Sequence, residues 1–410
     1  MTSLSSYAVA YQEYLTQSCP QLPQDTRAMI EISLEQTNWE EPTSIKDFNS
    51  IGVVALLMAE QSQDFDIRAM YFEMALEAFQ EGVQVSPLCI AHLALMKSMI
   101  GEREEAIQLA FSRLIELSHL DSSHEASEGM ASEIELMYIP PFSSSAFIGR
   151  SEVLLTGLTA ETVYDQAKIL CIETLRRSQL VFYSPAGLRF LQIAAQLLPQ
   201  SAFMNLGLGL ASLLNNQWEG VIYLHHAHKI APNHSSAYQA LALAYRDLKK
   251  PELSLKYWNL AQHQQENESD QRSWFWAQHP HDAPFTFVPF GQNTILCVEA
   301  NFRSLVTSVL IAEGDWFEHE IEFWRNQLKP GMTVIDVGAN VGVYTFSAGE
   351  RVGSSGKVIA VEPFPTCVKA MNETAGINGM SWVAICEGAA SDRNGTAQLG
   401  VHESSELNEI

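Results

Sequence analysis

"VIDVGANVGVYTF", residues Val334 to Phe346, decides how this chain is read. Apolar, β-branched residues run to Asp336 and Val337, Gly338 to Gly342 form a glycine-bearing turn, and Val343 onward returns to helical spacing. That order predicts a strand, a turn and a helix. Working outward, a "GSSGK" turn leads to a strand "VIAVEP", a helix "PTCVKAMNETAGI" and a strand "SWVAICEG". Repeated β-α-β order with apolar strands implies a parallel sheet with helices on its faces. Upstream, "FTFVPF" and "TILCVEA" around "GQN" read as a β-hairpin, and "DWFEHEIEFWRNQL" as a helix stopped by "KPGM".

In parallel sheets ligands sit beyond the carboxyl ends of the strands, which brings Asp336, the turn and Glu362 to one place. Glycines allow a close backbone approach, and free N–H groups at a helix start favour an anionic group such as a carboxylate. An acid ending the second strand can accept both hydroxyls of a ribose. NAD and S-adenosylmethionine sites share these features, so spacing must arbitrate. A dinucleotide fingerprint places glycine at 338, 340 and 343, where this chain has Gly338, Asn340 and Val343, with its next glycine at Gly342. The departure disfavours a pyrophosphate. A nucleoside carrying a carboxylate and a sulfonium suits the pattern better, with Asp336 supplying negative charge toward the cation.

The run D-V-G-A-N-V-G-x-Y-T, preceded by "EGDWFEHEIEFWRNQLKPG" and followed by "VIAVEPFP", resembles the FkbM-type S-adenosylmethionine-dependent methyltransferases over residues 285 to 410. The resemblance implies a Rossmann-like α/β domain that methylates hydroxyl groups of sugars, lipids or natural products. It also implies that Asp336, Gly338, Ala339, Asn340 and Gly342 form the first cofactor motif and Glu362 the ribose ligand. Phe364 would border the adenine, and "GAASD" at Gly388 to Asp392 would flank the base. Such a domain has seven strands with the first lying beside the fourth, and the chain reaches only strands one to three with a short run "TAQLGV" before "HESSELNEI". The expectation is an incomplete domain, 284–410, with no nameable catalytic base. Its first strand would be an apolar edge unless the hairpin covers it.

Before residue 268 the pattern is helical. "SAFMNLGLGLASLLNNQWEGVIYLHHAHKIAP" and "SAYQALALAYRDLKKPELSLKYWNLAQ" are self-similar, Leu206-Gly207 matching Leu241-Ala242 and Gly220 matching Ser254. "LALMKSMIGEREEAIQLAF" repeats the arrangement, with small residues where antiparallel helices meet. These units resemble tetratricopeptide repeats, which implies a solenoid with a concave face for a protein or peptide partner. The organisation expected is multi-domain: repeats over 1–120, a linker or long surface loop over 121–150 around Pro140-Pro141, repeats over 151–268, then the methyltransferase domain. Trp274, Phe275 and Trp276 read as a staple between helices and the α/β part.

Acidic residues number 48 against 24 basic, a net charge of −24, which disfavours nucleic acid and anionic membranes. Six scattered cysteines without CxxC spacing read as free buried thiols, and no basic-then-apolar leader or membrane-length apolar run is evident, so a cytoplasmic protein is expected. His225, His226 and His228 lack acidic or cysteine partners at ligand spacing and read as a helix face, with no metal expected. Two other functions fit the residues: a non-catalytic solenoid adaptor with a vestigial nucleotide half-site, and a dehydrogenase-like NAD domain.

Overall fold

The computed structural model describes residues 6–18, 22–39, 44–62, 64–83, 86–122, 134–138, 157–158, 160, 162–178, 185–266, 268–291, 293–392, 395–396, 398 and 400. Among them are sixteen α-helices, one antiparallel hairpin and one three-stranded parallel sheet. The chain divides into two compact units, Met1–Pro141 with Arg150–Leu180, and Phe142–Gly149 with Val181–Ile410.

The first unit contains α1 (Ser6–Ser18), α2 (Gln24–Gln36), α3 (Ile45–Gln61), α4 (Phe65–Gly82), α5 (Pro87–Met99), α6 (Arg103–Ser122) and α7 (Val163–Ser178). Short polar caps start the helices. Ser44 Oγ accepts from Asp47 N while Asp47 Oδ2 accepts from Ser44 N, and Ser86, before Pro87, caps α5. Helix α3 packs on α4, α5 on α6, and α7 against both α5 and α6. Of the span 121–150 expected as a linker or surface loop, residues 134–138 are described, and Glu135 to Tyr138 are buried among these helices. That part is core, because side chains distant in sequence enclose it. The rest of the span, apart from the end of α6, lies outside the described residues.

The second unit begins with α8 (Pro185–Leu197), α9 (Ala202–Leu214), α10 (Gly220–Ile230), α11 (Ser235–Asp247) and α12 (Pro251–Gln265). Helices α9 and α10, and α11 and α12, form two hairpins. Of the two glycines expected where these helices meet, Gly220 makes the close approach and Gly207 does not: a Cβ on Gly220 would stand 2.5 Å from Gly209 O, whereas one on Gly207 would stand 4.0 Å from Leu191. In the second hairpin Ser254 Oγ donates to Ala242 O at 2.8 Å.

The α/β part opens with the hairpin β1 (Phe285–Phe290) and β2 (Thr294–Glu299), in register from Phe285 opposite Glu299 to Phe290 opposite Thr294. Helix α13 (Leu305–Glu313), an apolar run with no distinct sequence reading, is buried along its length and packs on α9 and α11. The inner helices of these two hairpins are thus covered by the same chain. The aromatic run divides its contacts as a staple: Trp276 Nε1 donates to Ser235 Oγ and its ring meets Trp258, while Phe275 stacks edge-on against Phe287 of β1.

Helix α14 (His319–Gln327) is shorter than "DWFEHEIEFWRNQL" suggests, because Asp315 is drawn aside into a buried bidentate ion pair with Arg325, both bonds 2.7 Å. Then follow β3 (Thr333–Val337), α15 (Val343–Val352), β4 (Lys357–Glu362), α16 (Pro365–Ile377) and β5 (Val383–Glu387). The strands are parallel in the order β3-β4-β5, Val334 opposite Val358 and Val358 opposite Val383. Two successive crossovers of one hand in one direction place α15 and α16 on the same side. Val334, Val358 and Ala360 are buried on that side, whereas Ile335 and Val337 on the other are 62% and 59% exposed. Among the described residues, helices therefore cover one face, not both. The hairpin pairs with itself and packs on α16, and among the described strands β3 lies at the edge of its sheet. Cys89, Cys171 and Cys297 are buried free thiols, Cys367 is buried, Cys386 is exposed, and Cys19 lies outside the described residues.

Candidate functional site

Where β3, β4 and β5 end, the chain leaves a cavity of about 480 Å³, within the range of small-molecule sites. Ladder bonding continues past the strands and shapes it. Gly338 N donates to Val361 O and Gly388 N to Glu362 O, so all three strand ends stay in step as they turn away. Of the sequence candidates, Asp336, Gly338, Ala339, Asn340 and Glu362 line the cavity, together with Gly388, Ala389 and Ala390. Gly342 and Phe364 do not. Pro363 occupies the position by the cavity where Phe364 was expected.

The turn is left-handed at three positions: Gly338 at φ 78°, Asn340 at 50° and Gly342 at 96°. Asparagine tolerates this region, and Asn340 Oδ1 accepts from Val341 N at 2.7 Å. Gly342 is required twice over, since a Cβ would also come 2.6 Å from the Phe346 ring. At Gly338 a Cβ would meet nothing within 4 Å. That glycine borders open space that a ligand can fill.

The expectation placed an anionic group at the helix start, and the N–H groups of the turn itself are engaged. Those of Gly338 and Ala339 go to Val361 O, that of Asn340 to Glu362 Oε2, that of Val341 to Asn340 and that of Gly342 to Ala339 O. An anionic group would meet the first N–H groups of α15, on Val343 and Tyr344, both at the cavity. Glu362 is also busier than a simple ligand. It is 7% exposed, and its oxygens accept from Asn340 N at 2.8 Å and Phe364 N at 2.9 Å, tying β4 to the turn. Each oxygen keeps a second lone pair for a hydroxyl.

Asp336 accepts from the Thr345 hydroxyl, and burial raises its pKa above the ordinary value against the opposing bonds from Thr345. The residue-level reading missed Glu318. One oxygen, Oε2, accepts from Trp316 Nε1 at 2.9 Å and from the Tyr344 hydroxyl at 2.8 Å, and all three residues line the cavity. Burial, followed by the bond to Glu318, pushes the Tyr344 phenol upward. The anchor is Arg325, which donates to Asp315 and to Ser347 Oγ and lies 5.2 Å over the Phe290 ring. The acid-aromatic run upstream of the glycine turn carried the signal, but an amphipathic helix explained the same residues.

Three carboxylates, Glu318, Asp336 and Glu362, thus line a cavity whose lining includes no lysine, arginine or histidine. Such a surface welcomes a cation and hydroxyls and repels phosphates. The donor set and the open glycine fit a sulfonium nucleoside. The histidines read as a helix face sit away from this site: His225 Nε2 meets Tyr245 Oη at 2.6 Å and His226 Nδ1 meets Asn205 Oδ1 at 3.1 Å. Among the described residues no group of three or more His, Cys, Asp or Glu is arranged to hold a metal ion.

No family model matches the chain. A stretch of 48 residues is 44% identical to the ribosomal RNA large subunit methyltransferase E of Wigglesworthia glossinidia brevipalpis, covering 12% of this chain and 24% of that protein. The chain thus spans about a quarter of the length of that relative, and it carries a region similar to a methyltransferase.

Proposed function

We propose that the α/β part is an S-adenosylmethionine-dependent methyltransferase of FkbM type that methylates a hydroxyl of a small molecule, glycan, lipid or natural product. The observation that carries this reading is the cavity at the strand ends, with three carboxylates, an open glycine at 338 and no basic side chain. S-adenosylmethionine supplies a methyl group activated by a sulfonium. Asp336 and Glu318 give the negative potential a sulfonium and an ammonium require, and Glu362 offers lone pairs to a ribose. Val343 and Tyr344 present helix-start N–H groups to a carboxylate. The "DVGANVG" core supports the family assignment, and the local likeness to a methyltransferase supports the class of reaction.

RNA is what the name of that relative specifies, and we do not carry it over. A net charge of −24 and a cavity without basic residues oppose a polyanionic acceptor. The helical hairpins are proposed as tetratricopeptide-like repeats that dock a protein or peptide, over 1–120 and 151–268, in a cytoplasmic protein. Among the described residues no helix is long and apolar enough to cross a membrane.

Calorimetric titration of the 410-residue chain with S-adenosylmethionine, S-adenosylhomocysteine and NAD tests the cofactor. Binding of the first two, lost in Gly338→Val and absent for NAD, is expected. Affinity for NAD alone would restore the dehydrogenase reading, and affinity for none would leave a non-catalytic adaptor. Transfer of labelled methyl to sugar, polyol and lipid acceptors then defines the acceptor.

A further inference from the structure

Residues 134–138, "IELMY", run through the first unit outside any helix or strand, with Glu135 to Tyr138 no more than 5% exposed. A buried segment of that kind has main-chain groups that no helix or strand of its own satisfies. Here side chains of the surrounding helices bond to main-chain groups of four successive residues. The Gln166 amide accepts from Glu135 N at 3.1 Å and donates to Glu135 O at 3.0 Å, as a neighbouring strand would. Asn49 Nδ2 donates to Leu136 O at 2.8 Å. The Tyr11 hydroxyl accepts from Met137 N and donates to Met137 O at 2.7 Å. His92 Nε2 accepts from Tyr138 N at 3.0 Å, which leaves Nδ1 as the donor to Asn49 Oδ1, also at 3.0 Å.

Those four side chains come from four helices of the unit, α1, α3, α5 and α7. One face of the stack therefore presents a row of amide, hydroxyl and imidazole groups to a peptide main chain. Contacts of that kind are indifferent to the sequence they hold. Selectivity comes from the side chains: Leu136 and Met137 are fully buried, and the Tyr138 hydroxyl donates to Glu60 Oε2 at 2.9 Å. Because the clamps bind main-chain atoms, a second segment with matching side chains would meet the same partners.

We propose that this face of the first unit is a receptor groove for a peptide of the type acidic-aliphatic-aliphatic-tyrosine, and that the chain's own residues 134–138 occupy it in cis. A partner segment of that chemistry binds by displacing them. The proposal deepens the docking role suggested for the repeats and is independent of the methyl-transfer reading. A tethered segment competes at an effective concentration on the order of millimolar, so a free peptide meets a groove that is nearly closed until the tethered copy is released.

The test uses the full chain and a fluorescein-labelled peptide spanning residues 131–141. In Leu136→Asp/Met137→Asp, a buried charge disfavours the tethered segment, and fluorescence anisotropy should report binding at least roughly tenfold tighter than to the unaltered chain. Adding Gln166→Ala and Tyr11→Phe should abolish that gain. As a second route, protease sites inserted within 123–133 and 139–150 allow the segment to be cut after folding, and the labelled peptide should then exchange in with helicity retained. Loss of helicity on cutting, or a folded, cut protein that takes up no peptide, overturns the proposal and makes the segment ordinary core.

Discussion

Glu362 shows how a single residue can answer two questions at once. Its oxygens already hold the N–H groups of Asn340 and Phe364, so removing them leaves two donors without an acceptor. Glu362→Ala should lower stability by about 1–3 kcal/mol as well as weaken the ligand, and urea unfolding alongside calorimetry will register both. Gly338→Val is the cleaner probe, because its Cβ meets no protein atom; it should abolish cofactor binding at a structural cost of about 1–2 kcal/mol from the left-handed backbone alone. Retained affinity in that variant would mean the turn stands clear of the ligand. His92 supplies a pH signature. Burial lowers its pKa from 6.5 to about 3, so the folded state refuses a proton that the unfolded chain accepts. Stability is then whole above the unfolded value and is lost as pH falls toward the folded one. Between pH 7.5 and pH 5 the loss from this ring is about 2 kcal/mol. His92→Gln should flatten the difference between denaturation curves at those two pH values, and an unchanged slope would remove His92 as the cause.

At the scale of elements, the hairpin of α9 and α10 carries a paired forecast. Gly220→Ala drives a Cβ into the Gly209 carbonyl at 2.5 Å and should destabilise the second unit by about 1–3 kcal/mol. Gly207→Ala has room and should be neutral or gain up to about 1 kcal/mol from helix propensity. Thermal melts of the two variants test whether the crossing point has been placed correctly. Elements were most legible where period and punctuation agreed. Strands β3, β4 and β5 and helices α15 and α16 follow the alternation of apolar runs and glycine turns, and Pro365 to Ile377 was bounded as found. Legibility failed where distant partners decide. Leu305 to Glu313 is apolar all round, so no face betrayed a helix that is buried on every side. Asp315 to Glu318 read as helix until Arg325 claimed Asp315. Residues 134–138 sat within a serine- and acid-rich span read as a loop, and their burial depends on Tyr11, Asn49, His92 and Gln166, none of which is a sequence neighbour. The site divides likewise: glycines and acids announce themselves by spacing, while Glu318 reaches the cavity only through the fold.

On the whole-molecule scale, the uncovered side of the parallel sheet governs solution behaviour. Ile335 and Val337 are more than half exposed on a strand that, among the described strands, lies at the edge of its sheet, an arrangement that favours association between copies. The 410-residue chain should show concentration-dependent self-association by light scattering, suppressed in Ile335→Lys/Val337→Lys. Equal scattering from both proteins would place the sticky surface elsewhere. The large negative charge works against such association, so added salt, which screens it, should enhance the effect.

The bond from Trp316 to Glu318 has a practical corollary. An indole that donates to a carboxylate at the wall of the cavity is a native fluorophore wired to the chemistry of the site. Any cation drawn to Glu318 competes for the charge that the indole senses, so its emission reports occupancy without a label. The background of the other tryptophans is removed by subtracting Trp316→Phe. The protein carries its own gauge for a cation at this cavity.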